Sequence, residues 1–320
     1  MEPLDPEAFE IHRARVRERV DLAFVREGIG GFPLLLVHGY PETKRIWWRN
    51  ITPLAEAGFE VIVPDLRGHG DSGLADDDFY DVSAYSMDLY ALVHDVLGHS
   101  RCVTAGGDAG GPTLYDMSLR YPGFVIRQCI FNTVAPFLRE EYDAAGIPPE
   151  VDRELAPTAD YFIRQGNDPE GLLAELDTPE RRRAWVAAMY SHRLWAARGT
   201  FTREDMDFMT EPYADPEKLR VSWGIYETAA GKRAMEDMPR MLERTDVPTL
   251  VLWGPEDNVV EASFPAKMQV ACNECIGPFT IAGAGHFLQW EAAHVFNQTL
   301  RYFFADLLVT ESTERGNSRP

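Results

Sequence analysis

The chain has 320 residues, 45% of them hydrophobic and 26% charged, and a formal net charge of −20. That is the composition of a globular protein long enough for one large domain or a core with an inserted subdomain. An acidic balance of this size argues against nucleic acid or an anionic membrane as partner, since both reward basic surfaces. Apolar runs such as Leu34-Leu35-Leu36-Val37 are too short to cross a bilayer. Met1 to Glu7 is acidic and lacks the layout of a signal peptide. Four cysteines do not make a disulfide framework, and Cys272-Asn273-Glu274-Cys275 has no second Cys or His pair to complete a zinc site. A cytoplasmic protein with reduced thiols is expected, with no metal.

In chain order, residues up to about Glu10 are expected to form a flexible lead-in, and Arg17 to Glu27 an edge strand. Phe32 to Val37 is a continuous apolar run of the kind a strand buried on both faces shows. It ends in His38-Gly39-Tyr40-Pro41, and Trp47 to Ala57 then reads as a helix. Phe59 to Pro64 is the next strand, followed by the Gly-rich loop Arg67-Gly68-His69-Gly70-Asp71-Ser72. Ala84 to Leu97 has helical spacing, with Ser83 as its N-cap. Further strands are expected at Val125–Phe131, Val247–Trp253 and Gly277–Ile281, and a last helix at Trp290–Leu308. Residues 135–245 read as helical throughout. The division is therefore a core over 1–134 and 246–310, a helical cap over 135–245, and a polar tail over 311–320. Alternating strands and helices imply a mostly parallel, doubly wound α/β sheet with functional loops at its carboxyl edge.

The organising stretch is Thr104-Ala105-Gly106-Gly107-Asp108-Ala109-Gly110-Gly111-Pro112. It follows a short buried strand and precedes a helix over Thr113–Tyr121. Strand, small-residue turn and helix form the context of a nucleophile elbow, whose tip here is Asp108. Positions two before and two after such a tip must be small, and Gly106 and Gly110 are. Two later strands end in titratable residues, at Glu256-Asp257 and at His286. Nucleophile, acid, histidine is the chain order of one hydrolase class. Asp257 is preferred as the acid, with Glu256 as the alternative.

An aspartate at the tip selects the electrophile. Serine attacking an sp³ carbon would leave an ether, whereas a carboxylate leaves an ester that can be hydrolysed. Aspartate is already ionised near neutral pH and needs no base for that first step. His286, oriented by Asp257, would then activate water against the Asp108 ester. The Tyr40 and Ala109 backbone N–H groups would stabilise the oxyanion.

With His38-Gly39-Tyr40-Pro41, the Gly-rich loop, the Asp elbow and the acid and His loops, the chain resembles the epoxide hydrolases of the α/β-hydrolase superfamily over nearly its whole length. The resemblance implies the α/β-hydrolase fold with an inserted cap, a cis peptide before Pro41, and no cofactor. It also implies water and a small apolar epoxide as reactants, and two cap tyrosines that donate to the ring oxygen. Tyr161-Phe162-Ile163-Arg164-Gln165-Gly166 and Gly224-Ile225-Tyr226-Glu227-Thr228 resemble the segments bearing them, with Tyr142, Tyr190 and Tyr213 as comparators expected only to pack. Haloalkane dehalogenases share the Asp elbow but carry Trp at the position of Ala109, and fluoroacetate dehalogenases carry Arg where Ala109 and Pro112 stand. A dehalogenase is the alternative enzyme, and a ligand-binding relative without turnover the alternative of another class. Trp47, Phe137, Trp253 and Phe287 are candidate pocket walls, each equally readable as packing. A homodimer stays open.

Overall fold

In a computed structural model, residues 4–149, 160–193 and 195–308 are described. β1 (Ile11–Val16), β2 (Val20–Glu27), β3 (Phe32–Val37), β4 (Phe59–Pro64), β5 (Cys102–Gly106), β6 (Val125–Phe131), β7 (Thr249–Trp253) and β8 (Cys275–Thr280) build one sheet. Their spatial order is β1-β2-β4-β3-β5-β6-β7-β8. The first two pairings are antiparallel and the rest parallel. The core helices are α1 (Ile51–Glu56), α2 (Val82–Tyr90) and α3 (Gly110–Arg120). Between β6 and β7 come α4 (Arg139–Ala144), α5 (Asp160–Asn167), α6 (Pro169–Glu175), α7 (Pro179–Tyr190), α8 (Arg203–Thr210), α9 (Pro216–Ser222) and α10 (Gly224–Ala229). The chain ends its described part with α11 (Phe264–Ala271), α12 (Leu288–Glu291) and α13 (Ala293–Phe303). No described helix is long and apolar enough to cross a membrane.

The continuous apolar strands are explained by two cores. Successive side chains of a strand point to opposite faces. Leu34 and Leu36 accordingly pack with Trp47, Ile51, Trp290 and Phe296 on one face. Leu35 and Val37 pack with Tyr85, Leu89, Leu114 and Phe264 on the other. Burying one such leucine contributes about 1.5–3 kcal/mol, so both faces hold the sheet in register. Register in turn aligns the strand ends. Val37 lies beside Gly106, Gly106 beside Ile130, and Phe131 beside Leu252. The loops after β3, β5, β6, β7 and β8 thus open on one edge. Chain order reverses at β3, which sits between β4 and β5.

Several expectations need correction. Val20–Glu27 is an interior strand, because the polar Ile11–Val16 strand lies outside it and forms the edge. A row of arginines there suits an edge that must not pair further. Residues 4–10 are not a loose lead-in: Trp48 Nε1 donates to Asp5 O (2.9 Å) and Phe9 meets the Trp48 ring edge-on at 5.2 Å. The helix expected over Trp47–Ala57 is divided into a 3₁₀ turn, Lys44–Trp47, and α1. The N-cap of α2 is Asp81, which accepts from the Ser83 and Ala84 N–H groups, while Ser83 is inside the first turn. That helix continues as a π-helical stretch, Ala91–Val96. Residues 231–245 are not helical. They form a strap held to the core by backbone N–H groups, Glu236 to Asp81 Oδ2 (3.0 Å), Asp237 to Ser83 Oγ (3.0 Å) and Arg240 to Asp116 Oδ1 (2.7 Å). The tail expected over 311–320 lies outside the described residues.

Candidate active site

The turn from β5 into α3 lifts Asp108 above the carboxyl edge of the sheet with φ +42°, a left-handed conformation uncommon outside glycine. A Cβ on Gly110 would stand 2.4 Å from Val37 O, and one on Gly106 2.8 Å from Leu114 Cδ1. Both positions are small because the helix starts against the neighbouring strand. Asp108 N–H donates to Asn132 O (3.0 Å), and Thr133 Oγ1 donates to Asp108 O (2.5 Å), which fixes the tip against the end of β6.

Two loops meet the Asp108 carboxylate directly, and a third reaches it through His286. Tyr40 N–H donates to its Oδ1 (2.6 Å), and the Tyr40-Pro41 peptide is cis. The Tyr40 hydroxyl is held in the insert, donating to the Gln165 amide oxygen (2.6 Å) and accepting from Trp223 Nε1 (3.1 Å). An added Cβ at Gly39 would lie 2.5 Å from Asp108 Oδ1 and 2.6 Å from the Ala109 nitrogen, so both sit against the same face of Gly39. His286 Nε2 lies 3.1 Å from Asp108 Oδ2, and its Nδ1 2.9 Å from Asp257 Oδ2. Burial alone would lower the imidazole pKa, but Asp257 and then Asp108 outweigh it, and the net shift is well upward. Asp257 is itself positioned. Its Oδ1 accepts from Val259 N–H (2.7 Å) and Val260 N–H (3.0 Å), and its Oδ2 from Asn132 Nδ2 (2.8 Å). Glu256 is exposed, so of the two acids it is Asp257 that meets the histidine.

Asp108 opens into a cavity of about 240 Å³ that Tyr161 and Tyr226 also line. Both tyrosines are nearly buried, at 6% and 8% exposure, and their rings meet edge-on at 5.8 Å. Burial, then Tyr161 and Asp108, hold the Tyr226 phenol well above its ordinary pKa, so it stays protonated. The comparators are engaged elsewhere: Tyr190 donates to Pro41 O (2.6 Å), Tyr213 to Glu42 O (2.7 Å) and Tyr142 to Pro136 O (2.7 Å). Among the candidate walls, Phe137 lines the cavity. The other three do not. Trp47 is buried against Phe131 and Phe296, Trp253 packs on Phe264, and Phe287 stacks on Tyr190. Each faces a core that its position beside a motif does not reveal.

The sequence reasoning missed other residues. Ile225, Val259 and Val260 line the cavity, as do Met235, Pro239 and Met241 of the strap. Glu42 is buried beneath the Tyr40 loop, accepting from Gly39 N–H (2.6 Å) and from Gln289 Nε2 (2.7 Å). Burial and then the Asp108 charge push its carboxyl up to about 7. Its place after Pro41 was the available signal. Among the described residues no group of His, Cys, Asp and Glu is arranged to hold a metal ion.

With this geometry in hand, comparison with known proteins is informative. The family described by the α/β hydrolase fold matches residues 33–293. Epoxide hydrolase 4 of Mus musculus is 24% identical over 287 residues, covering 88% of this chain and 76% of its own. The soluble epoxide hydrolase of Corynebacterium sp. (strain C12) is 27% identical over 282 residues, covering 87% and 91%. The solved structure of the epoxide hydrolase CorEH without ligand superposes with a TM-score of 0.78 at 22% identity, covering 93% of this chain and 99% of its own. At that identity the superposition speaks to the fold alone.

Proposed function

The chain belongs to the α/β hydrolase fold family, and within it we propose an epoxide hydrolase, which adds water to an epoxide to give a vicinal diol. One observation carries this: a carboxylate nucleophile, hydrogen-bonded to a buried His–Asp pair, faces two tyrosines across one apolar cavity. The relatives named above support it. Residues 135–245 act as the cap that supplies both tyrosines.

In the first step Asp108 attacks a ring carbon and the C–O bond breaks. The ring oxygen takes a proton from Tyr161 or Tyr226 as its negative charge develops. An alkoxide is a far stronger base than a phenolate, so a phenol with a raised pKa still donates. In the second step His286 removes a proton from water, which attacks Cγ of the Asp108 ester. Charge develops on the ester oxygen that accepts from the Tyr40 N–H, with the Ala109 N–H as the second donor in this reading. Collapse expels the diol oxygen, which takes the proton from His286. The proton left on Asp108 returns through solvent to the tyrosinate, and the sum is epoxide plus water to diol.

The substrate is uncharged. Among the described residues the cavity is lined by the carboxylates of Asp81 and Asp108 and by no Lys or Arg. Asp81 is fully occupied by the start of α2 and by Glu236 N–H. Among those residues an anionic substrate would meet two carboxylates and no cationic partner, in a site where a buried unpaired charge costs several kcal/mol.

A single turnover of styrene oxide in ¹⁸O-water, followed by mass analysis of the Asp108 peptide, tests the route. Label in the carboxylate is expected, and its absence refutes the ester. His286→Gln should still be alkylated and accumulate the adduct. Halide release from haloalkanes without diol formation would point to a dehalogenase instead, and tight binding without turnover to a ligand-binding relative.

A further inference from the structure

Glu291 has no role in the chemistry above, yet it lies at the junction of the His286 loop and the insert. It is a half-buried carboxylate at the end of α12, and desolvation raises its pKa. Its Oε1 accepts from Phe287 N–H (2.9 Å) and its Oε2 from Gly285 N–H (3.0 Å), the residues on either side of His286. The same Oε2 accepts from Ala197 N–H (2.7 Å), and Thr200 Oγ1, whose proton is shared with Ala197 O (2.7 Å), lies 3.0 Å from it, in the loop between α7 and α8. That loop also holds the base directly, since His286 N–H donates to Trp195 O (2.8 Å). A Cβ on Gly285 would stand 2.5 Å from Ala197 N and 2.7 Å from Trp195 O, so the two backbones touch. The Trp195 ring in turn lies 5.3 Å from the His286 ring and 4.7 Å from the Tyr161 ring.

From these contacts we infer that Glu291 is a positioning residue for the hydrolytic half-reaction: its carboxylate clamps the backbone on both sides of His286 to insert loop 195–200. The inference rests on His286 acting as the base. Hydrogen bonds to an ionised acceptor are short and about twice as strong as neutral ones, and several converge here. A base must stand within hydrogen-bond reach of the water it activates, and misplacement by about 1 Å can cost roughly 100-fold. Alkylation needs no base, so the clamp bears on the second step alone.

The test is Glu291→Gln. Its side-chain NH₂ would face N–H donors where the carboxylate accepts. Rapid-quench mass spectrometry with styrene oxide should show adduct formation within about threefold of wild type, ester hydrolysis slowed by about tenfold or more, and adduct accumulating at steady state. Thr200→Val, which removes one donor on the insert side, should act in the same direction more weakly. Proton NMR supplies a readout independent of turnover: the low-field resonance of the His286–Asp257 hydrogen bond should shift or broaden in Glu291→Gln. Equal slowing of both half-reactions, or lowered stability with the wild-type adduct ratio and an unmoved resonance, overturns the clamp. If neither Glu291→Gln nor His286→Gln forms an adduct while the resonance responds, it is the ester mechanism that fails and the clamp that stands.

Discussion

Removing one hydroxyl from the cavity separates a proton donor from a packing residue. Among the described residues the Tyr226 hydroxyl has no hydrogen-bond partner, and it opens beside Asp108 and Tyr161. Tyr226→Phe therefore breaks no native bond, and its unfolding free energy in urea should stay within about 0.5 kcal/mol of wild type. In the transition state the lost group would have donated to an oxygen gaining charge. Such bonds are worth about 1.5–3 kcal/mol, or roughly 10- to 150-fold on the alkylation rate. Tyr213→Phe should behave in the opposite way. Its hydroxyl is fully buried and donates to Glu42 O, and losing it leaves that carbonyl short of a partner at a cost of about 1–3 kcal/mol in stability. Its alkylation rate should remain within about threefold of wild type. Rapid quench gives the rates, and urea denaturation the stabilities. Wild-type alkylation in Tyr226→Phe would refute the donor assignment, unless the Tyr161→Phe/Tyr226→Phe pair loses far more than Tyr161→Phe alone.

Three further outcomes follow from the loops around Asp108. Gly39→Ala places a methyl group against Asp108 Oδ1 and the Ala109 nitrogen, and should cost about 10²–10³-fold in ester hydrolysis, as loss of an oxyanion donor does; near wild-type hydrolysis would exclude this face as the oxyanion site. Asp257→Asn removes the largest upward influence on His286, so the NMR titration of its imidazole should move to lower pH, and hydrolysis should fall by about 10⁴-fold while alkylation persists; an unmoved titration would contradict the pairing. The folded protein holds the Glu42 proton up to about pH 7, while the unfolded chain releases it near 4.5, so wild type loses stability as pH rises through that window. Glu42→Gln carries no such charge, and Gln289 can turn its unpartnered Oε1 toward the new amide. Its stability relative to wild type should therefore improve by about 3 kcal/mol between pH 4 and pH 8, and a flat difference would refute the buried-carboxyl assignment.

What was legible in the sequence is what a local rule determines. β3 and β4 were plain because both faces are buried, so nearly every residue is apolar, Glu60 being buried with Arg26 and the Gly30 N–H as partners. The elbow was plain because helix and strand approach within a methyl group of each other at Gly106 and Gly110. Asn132 and Glu291 were not legible, and Glu42 only by its place after Pro41, because the fold brings partners to them from other loops and no spacing in the chain encodes such contacts. Asn132 reaches across to Gly254 and Asp257, and Glu42 reaches Gln289. Aromatic walls failed for a related reason. Trp47 and Phe287 sit beside motifs, but which way a ring turns is decided by the core it meets. The strap carrying Met235 and Met241 has no periodicity to find, since it is held by its backbone and by Glu236, whose carboxylate takes both Arg17 and Arg19. Tyr161 and Tyr226 were found by resemblance, and only the cavity distinguishes them from the other cap tyrosines.

The position of Asp108 would give it a second effect besides the attack proposed above. In the free enzyme its charge faces the His286 imidazole from one side while Asp257 faces it from the other, and the pair holds the ring proton well above the ordinary range. In the proposed route, forming the ester would make Asp108 neutral and remove one of the two charges that raise the imidazole pKa, leaving a buried histidine whose desolvation weighs more heavily. The same change relaxes Glu42, whose carboxyl is pushed up by burial and by Asp108. Both neighbours thus lose protons more readily once the carbonyl to be attacked exists. In the proposed route, then, consuming the Asp108 charge would favour the neutral imidazole that ester hydrolysis needs.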